Sequence, residues 1–164
     1  SMTSQEFNIL VGRIRPKLIN FAGTFVKAGA ATAEDMVQDA VIKLWKVQDV
    51  QEIKNPEALT LHILRNVCLD YLRLKKNNTE QLNINSYRIV TDDPSTTLER
   101  KDQFAYIKSC METLPADQML AVRLRDVMGY EMEEIAKILE TSEGNVRTLL
   151  SRARQKIREK MMVR

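Results

Sequence analysis

Apolar side chains recur at spacings of three and four residues along most of the chain, which is the period of an α-helix. The sequence has only five glycines and few runs in which β-branched residues alternate with polar ones. Its periodic segments are rich in Leu, Ile, Met, Lys, Glu and Gln, which are compatible with helices. We therefore expect an all-α protein.

One segment interrupts this pattern. Residues 78–97 are dominated by Asn, Ser, Thr and Asp with one Pro, a composition typical of a linker. The sequence therefore predicts two small helical domains, residues 5–77 and 98–162, joined by a flexible linker, 78–97. A chain of 164 residues is long enough for two such cores.

The apolar period predicts helices at about 5–27, 32–47, 56–76, 98–114, 116–128, 132–140 and 143–161. Pro16 falls inside the first and predicts a kink or a break there. Asn55 is a suitable N-cap, and Pro56 suits the first position of the third helix. Ser142 is a suitable N-cap for the last.

Charge and cysteine content restrict the class of protein. The net charge is +3, but residues 142–164 hold seven Arg or Lys against two Glu, which favours a polyanionic partner. Two cysteines and one histidine are too few for a disulfide framework or a His/Cys metal site, so we expect no metal, cofactor or catalytic group. No apolar run approaches the ~20 residues that span a bilayer, and we expect a cytoplasmic protein without membrane insertion.

The last two predicted helices have the parts of a helix-turn-helix. The apolar side of the first is made by Ile135, Ala136, Ile138 and Leu139. Only residues 141 and 142 separate it from the amphipathic helix that follows. This arrangement is typical of DNA-binding proteins that place the second helix in the major groove.

The last helix has one apolar side and one basic side. At roughly 100° per residue, the apolar positions are Val146, Leu149, Leu150, Ala153 and Ile157. The side chains expected to face bases are Arg147, Thr148, Ser151 and Arg152. Arg154, Lys156 and Arg158 are expected to meet phosphate or water. A basic amphipathic helix alone also fits a solvated surface, a membrane surface or a protein partner.

Two surfaces of the first predicted domain carry unusual side chains. The second helix has a polar outer face made by Asp35, Gln38, Asp39 and, in their midst, the apolar Ile42. This face fits a protein-binding surface, although single exposed apolar residues are common. The third helix is predicted to bury Leu59, Ile63, Leu64, Val67, Tyr71 and Leu74. Its opposite stripe, His62, Arg65, Asn66, Arg73 and Lys76, fits nucleic acid or a solvated face.

Three segments together resemble bacterial extracytoplasmic-function sigma factors, the small members of the sigma-70 family. They are AEDMVQDAVIKLW, NPEALTLHILRNVCLDYLRLKK and LPADQMLAVRLRDVMGYEMEEIAKILETSEGNVRTLLSRARQKIRE, similar to regions 2.2, 2.3 to 2.4, and 4. The resemblance covers nearly the whole chain outside the linker and the ends.

The resemblance implies a transcription initiation subunit whose partners are core RNA polymerase and promoter DNA, with no small-molecule substrate. It implies polymerase docking by Asp35, Gln38 and Asp39, beside which Ile42 lies. It places Asn66, Arg73 and Lys76, with Arg65 of the same stripe, at the −10 element, and the loop QDVQEIKN at a flipped-out base. Arg147, Thr148, Ser151 and Arg152 match the positions that read the −35 element.

The family also implies an anti-sigma factor that covers the polymerase-facing surfaces. The chain departs from the family at the helix-turn-helix, where Glu140 and Thr141 replace the usual Gly and apolar residue, which predicts a looser or differently packed turn. The alternatives are a stand-alone helix-turn-helix regulator and a helical enzyme targeted to DNA. The enzyme is disfavoured because no catalytic carboxylate pair, phosphate loop or metal cluster has a recognisable spacing.

Overall fold

The computed structural model describes residues 1–25, 30–77 and 98–163. In these ranges every regular element is helical, which confirms the all-α prediction. The α-helices are α1 (Ser4–Gly23), α2 (Ala30–Val50), α3 (Pro56–Asn77), α4 (Leu98–Glu112), α5 (Ala116–Val122), α6 (Met132–Leu139) and α7 (Glu143–Met162). A π-helical turn, Arg123–Val127, continues α5.

The chain forms two compact units, Ser1–Leu82 and Asn83–Arg164. This agrees with the expected division into two helical parts. The linker predicted at 78–97 lies outside the described residues, so its flexibility and the domain boundaries remain predictions.

In the first unit α1, α2 and α3 pack against one another around apolar side chains that include Leu18, Phe21, Leu44 and Leu61. The rings of Phe7 and Trp45 meet edge to face, with centroids 4.8 Å apart. Such contacts, summed over the buried apolar area, supply most of the stability of a small helical unit.

Helix α1 passes through Pro16 without a break, so the broken-helix alternative is wrong. Proline removes one backbone hydrogen bond and crowds the carbonyl four residues earlier. Here that residue is Gly12, and both Gly12 and Pro16 are exposed. Water can therefore reach the released carbonyl, while the buried face continues from Ile14 to Leu18.

Helix α2 extends to Val50, beyond the predicted end at residue 47. Gln48 is buried, and its side-chain oxygen accepts a hydrogen bond of 2.9 Å from the backbone N–H of Met2. The loop to α3 is correspondingly shorter than the predicted QDVQEIKN segment. Asn55 caps α3 as predicted, its Oδ1 accepting from the N–H of Ala58 at 3.1 Å.

The predicted buried face of α3 is only partly right. Leu64 and Val67 are buried, but Leu74 is 66% exposed, and Leu59, Ile63 and Tyr71 are half-buried. The remaining buried positions are Ala58, Thr60, Leu61 and Cys68. Because α3 contacts both α1 and α2, its buried surface is turned from the stripe that the apolar residues alone suggest.

The second unit is built around α5 and the start of the π turn. All residues from Gln118 through Leu124 are buried. Helix α7 packs on α4, α5 and α6. The hydroxyl of Tyr106 on α4 donates to the carbonyl of Lys160 at 2.6 Å and so ties α4 to the last turn of α7. The helix predicted at 116–128 is present, but its last part, Arg123–Val127, is π-helical rather than α-helical.

Helices α6 and α7 form the predicted helix-turn-helix geometry. Ser142 caps α7 by accepting from the N–H of Asn145 at 3.0 Å. Glu140 adopts a left-handed backbone, with φ of 57°, and the N–H of Thr141 donates to the carbonyl of Ala136 at 2.9 Å. The turn is therefore closed rather than loose, although Glu140 occupies a conformation that favours glycine.

Candidate nucleic-acid interface and docking face

The exposed side of α7 carries the four residues predicted to face bases. Arg147, Thr148, Ser151 and Arg152 are all exposed, whereas Val146, Leu150 and Ala153 are buried. The Thr148 hydroxyl donates to the carbonyl of Gly144 at 3.2 Å, as helical threonines commonly do. Since the apolar residues of α7 anchor it in the unit, its polar side is held toward solvent.

A cationic recess lies beside this surface. It has a volume of about 490 Å³ and is lined by Arg125, Met132, Arg147, Leu150, Ser151, Arg154 and Arg158. Four guanidinium groups around one recess favour an anion, and their planar donors match phosphate oxygens. The recess places Arg147 and Ser151 next to residues that come from other parts of the unit.

Arg125 is a candidate contact that the sequence did not indicate. It lies on the π turn and donates to the carbonyl of Tyr130 at 2.7 Å, with the carboxylate of Glu131 3.5 Å away. These contacts hold its guanidinium at the recess. No spacing along the chain could have indicated this, because Arg125 reaches α7 only through the packing of α5 and the π turn against that helix.

Arg154 is engaged within the protein. Its Nε and Nη2 atoms donate to the two carboxylate oxygens of Asp126, at 3.0 and 2.6 Å. The hydrogen bonds to Asp126 raise the pKa of Arg154, and the charge of Asp126 acts in the same direction. This fork ties α7 to the π turn, so Arg154 differs from Arg147 and Arg152, for which no such contact is seen among the described residues.

The acidic face of α2 is arranged as predicted. Asp35, Gln38 and Asp39 are exposed, and Ile42 in their company is 45% exposed. These positions are three or four residues apart and so share one side of the helix. Met36, Val37, Ala40 and Leu44 are buried on the other side. We call the four exposed residues the docking face.

The basic stripe of α3 is more varied than predicted. Arg73 is exposed and lies 3.5 Å from Asp70, one turn earlier, while Arg65 and Asn66 are half-buried. The Asn66 side-chain nitrogen lies 3.4 Å from Nε2 of His62. The side chain of Lys76 lies outside the described residues. Leu74, which was predicted to lie in the core, is exposed and adds an apolar group directly after Arg73 in the sequence.

The described ranges contain no group of three or more His, Cys, Asp or Glu side chains arranged to hold a metal ion. Both cysteines, Cys68 and Cys110, are free and buried. In the same ranges no helix is both long enough and apolar enough to cross a membrane.

Comparison with known families decides between the functional interpretations. The model of sigma-70 region 2 matches residues 10–78, and the model of sigma-70 region 4 matches residues 104–157. Together these matches cover most of the chain, with the docking face in the first and α5 to α7 in the second. The chain belongs to the sigma-70 family of sigma factors.

Individual sigma factors align over nearly the full chain. The ECF RNA polymerase sigma-E factor of Escherichia coli is 25% identical over 96% of this chain and 87% of its own. That of Haemophilus influenzae is 23% identical over 96% of this chain and 88% of its own. The sequence and family matches identify an RNA polymerase sigma factor that acts in transcription initiation, which confirms the function predicted from the sequence.

Solved structures agree with this assignment. The sigma factor RpoE of Bartonella quintana, determined with the anti-sigma factor NepR, has a TM-score of 0.76 and 27% identity, covering 97% of this chain and 98% of its own. CnrH, determined with the cytosolic domain of CnrY, has a TM-score of 0.68 and 21% identity, covering 98% and 90%. The similarity to CnrH supports the shared fold. Sigma factors of this family are initiation factors rather than enzymes.

Proposed function

We propose that this sigma factor docks on core RNA polymerase through the face made by Asp35, Gln38, Asp39 and Ile42. The support is an exposed apolar side chain surrounded by carboxylates and an amide on a helix whose other side is buried. An apolar centre with a charged rim is the usual composition of a specific protein interface. The carboxylates steer a basic partner surface and fix its register, while Ile42 supplies desolvated contact area.

The −35 element is read by α7. Arg147 and Arg152 offer guanidinium donors for guanine edges, and Thr148 and Ser151 offer hydroxyls for base edges or phosphates. Arg125 and Arg158, at the recess, contact the phosphate backbone and fix the register of α7 in the groove. The observation that supports this assignment most strongly is the recess itself, because it gathers cations from two packed elements at the edge of the exposed side of α7.

The −10 element is held by α3. Arg73 and Arg65 supply positive charge, Asn66 supplies an amide that can recognise a base edge, and Lys76 extends the stripe toward the end of the helix. Extruding a base from a duplex costs a few kcal/mol, and a basic groove that binds the separated strand offsets that cost. Binding energy alone then opens the promoter, with no catalytic residue and no cofactor.

Further properties of the chain follow from the same role. The relatives determined with an anti-sigma factor support a corresponding inhibitory partner here, which would compete with polymerase for the docking face. Since transcription takes place where the bacterial polymerase is, the proposed location is the cytoplasm. Its partners are then core polymerase, promoter DNA and an anti-sigma factor.

Transcription from genomic fragments tests the proposal. Core polymerase with the wild-type protein is expected to start RNA at a small set of sites that core polymerase alone does not use. Arg147→Ala should reduce initiation at these sites about fivefold or more, because one good base contact contributes about 1–3 kcal/mol. Arg13→Ala, which removes an exposed arginine from α1, is the matched control.

A different result would support a stand-alone regulator. A wild-type protein that protects a discrete DNA site tightly without polymerase, and adds no transcripts with it, would contradict the proposed role.

A further inference from the structure

Arg123 is a buried cation without a hydrogen-bonding partner. Its side chain is 0% exposed, and no acceptor in the described part of the chain reaches Nε, Nη1 or Nη2. Burial lowers the pKa of Arg123 to about 10, which leaves the guanidinium charged at neutral pH. A buried charge without a counterion is unfavourable, and it usually marks either strain or an interaction made in another state.

The backbone at Arg123 is also irregular. Arg123 begins the π turn, in which the N–H of Met128 donates to the Arg123 carbonyl at 2.9 Å. Such turns contain one more residue than an α turn and are frequent at functional sites. On a regular α-helix Arg123 would lie between Asp126 and Val127, both of which are exposed. Rewinding the π turn to α geometry would therefore bring Asp126 and Val127 onto the side of the helix that carries Arg123.

A groove lies beside the helical segment that contains Arg123, although Arg123 itself does not line it. A groove of about 420 Å³ is lined by Ile107, Met111, Val122, Asp126, Val127, Arg154, Ile157 and Arg158. Three of these flank Arg123 along the chain. The groove also contains the nearest carboxylate in sequence, that of Asp126, three residues after Arg123, which is the spacing at which helical side chains meet.

Asp126 already has a partner, Arg154, which it binds with two hydrogen bonds. Arg154 lies on the helix that carries the DNA-facing residues and also lines the cationic recess. Asp126 thus binds an arginine of α7 and lies three residues after a second arginine, Arg123, on its own helical segment. Only the first is bound to it in the present arrangement.

We propose that Asp126 exchanges Arg154 for Arg123 when Arg154 is drawn to a phosphate. In the first state Asp126 holds Arg154, and Arg123 stays in the interior. In the second state Arg154 binds the anion, the π turn rewinds, and Arg123 emerges to neutralise Asp126. Arg123 then acts as a positioning residue, because it lowers the free-energy cost of taking Arg154 from its carboxylate.

The exchange couples DNA binding to the packing of the second unit. This consequence rests on the proposed contact between α7 and DNA, whereas the exchange itself does not require DNA. Asp126 keeps a cationic partner when Arg154 binds phosphate, and Arg123 leaves an interior in which its charge has no hydrogen-bonding partner. Equally, a protein without DNA keeps Arg154 held against Asp126.

Labelling of arginine with phenylglyoxal, mapped by mass spectrometry, tests the exchange in the full-length protein without DNA. In the wild type Arg123 is expected to be protected. In Arg154→Ala the carboxylate of Asp126 is released, and the labelling rate of Arg123 should rise by about fivefold or more as the second state is populated. Arg154→Gln, which keeps more of the side chain, provides the same test if the alanine variant folds poorly.

The double variant Arg154→Ala, Asp126→Asn is the matched control. It loses the same arginine but offers no carboxylate, so Arg123 should remain as protected as in the wild type. Equal labelling of Arg123 in the single and double variants would show that only packing was lost, and would overturn the proposal. Continued protection of Arg123 in both Arg154 variants would overturn it as well.

A second arm adds a 20-base-pair duplex at low salt to the wild type and to Asp126→Asn. The exchange predicts that DNA increases Arg123 labelling in the wild type and not in the variant. If Arg154→Ala exposes Arg123 but DNA does not, the exchange stands and the proposed contact of Arg154 with DNA fails.

Discussion

Arg154 of α7 donates two hydrogen bonds to the carboxylate of Asp126 on the π turn, at 3.0 Å from Nε and 2.6 Å from Nη2. Both side chains are more than two-fifths exposed, so solvent screens their attraction and the pair contributes little to stability. Its larger effect is on binding, because it occupies a cation that would otherwise be available to a polyanion. The pair therefore limits the positive charge of the surface that we propose faces DNA.

Asp126→Asn is expected to strengthen binding to duplex DNA several-fold, because it releases Arg154 and removes a negative charge. The slope of log affinity against log salt concentration should become steeper by about one, because about one more counterion is released on binding. Stability should decrease by only about 0.5 kcal/mol. Fluorescence anisotropy over a salt series measures both binding quantities, and unchanged affinity and slope would contradict the expectation.

Arg125→Ala is expected to weaken duplex binding about threefold to tenfold and to reduce the salt slope by about one, as expected for one lost phosphate contact. Its bond to the Tyr130 carbonyl holds the guanidinium at the recess. Arg13→Ala makes the same charge change on α1 of the first unit and should leave both quantities unchanged. A loss shared equally by the two variants would indicate that only net charge matters.

Glu140→Gly is expected to stabilise the second unit by about 0.5–1 kcal/mol. The left-handed backbone of Glu140 carries a steric cost that glycine avoids, partly offset by the greater freedom of glycine in the unfolded chain. Thermal unfolding followed by circular dichroism should show a rise of a few degrees. Glu140→Ala keeps a Cβ atom and should give no such gain. Similar midpoints for both variants would argue against backbone strain at this position.

Arg123→Met is expected to raise the free energy of unfolding by about 1–3 kcal/mol at neutral pH, because it replaces an unpaired buried charge by an apolar side chain. Burial lowers the folded-state pKa of Arg123 to about 10, well below the ordinary value of an arginine. The cost of burial is therefore fully present below pH 10 and is relieved as the pH rises above 10, where the folded protein releases this proton before the unfolded chain does. The stability difference between variant and wild type should be constant to about pH 9 and shrink above it, as denaturant titrations at each pH can show.

Asp35→Lys combined with Asp39→Lys is expected to weaken binding to core polymerase at least about tenfold, since like charges across an interface are strongly unfavourable. Glu99→Lys combined with Asp102→Lys is the control, because it makes the same charge change at exposed positions of α4. Affinity is measured by titrating labelled protein with core enzyme. If the α2 variant binds as the wild type does, the docking face lies elsewhere.

The sequence predicted local features more accurately than packing. The Asn55 and Ser142 caps and the two sides of α7 appear as expected, because a capping side chain or an amphipathic period acts within one or two turns. Leu74 was misplaced because the orientation of α3 is set by two neighbouring helices rather than by its own apolar stripe.

The cationic recess was beyond sequence reasoning for a similar reason. Arg125 and Arg147 are far apart along the chain, and only the packing of α7 against the preceding helical segment brings them to one recess. The hydrogen bonds between Arg154 and Asp126 likewise join residues on different elements. The sequence analysis therefore expected Arg154 to contact phosphate or water rather than a carboxylate. The π turn had no sequence signal that a helical period could reveal.

The residues from Gln118 in α5 through Leu124 in the π turn are all buried, and this has a consequence for how the protein can evolve. A helix enclosed on all sides passes any change in side-chain volume to the elements that surround it, including the one that carries Arg147 and Arg152. Small substitutions in this interior can therefore shift α7, and with it Arg147 and Arg152, by a fraction of an ångström. With α7 in its proposed role, promoter preference can in this way be changed by residues that do not contact a nucleotide.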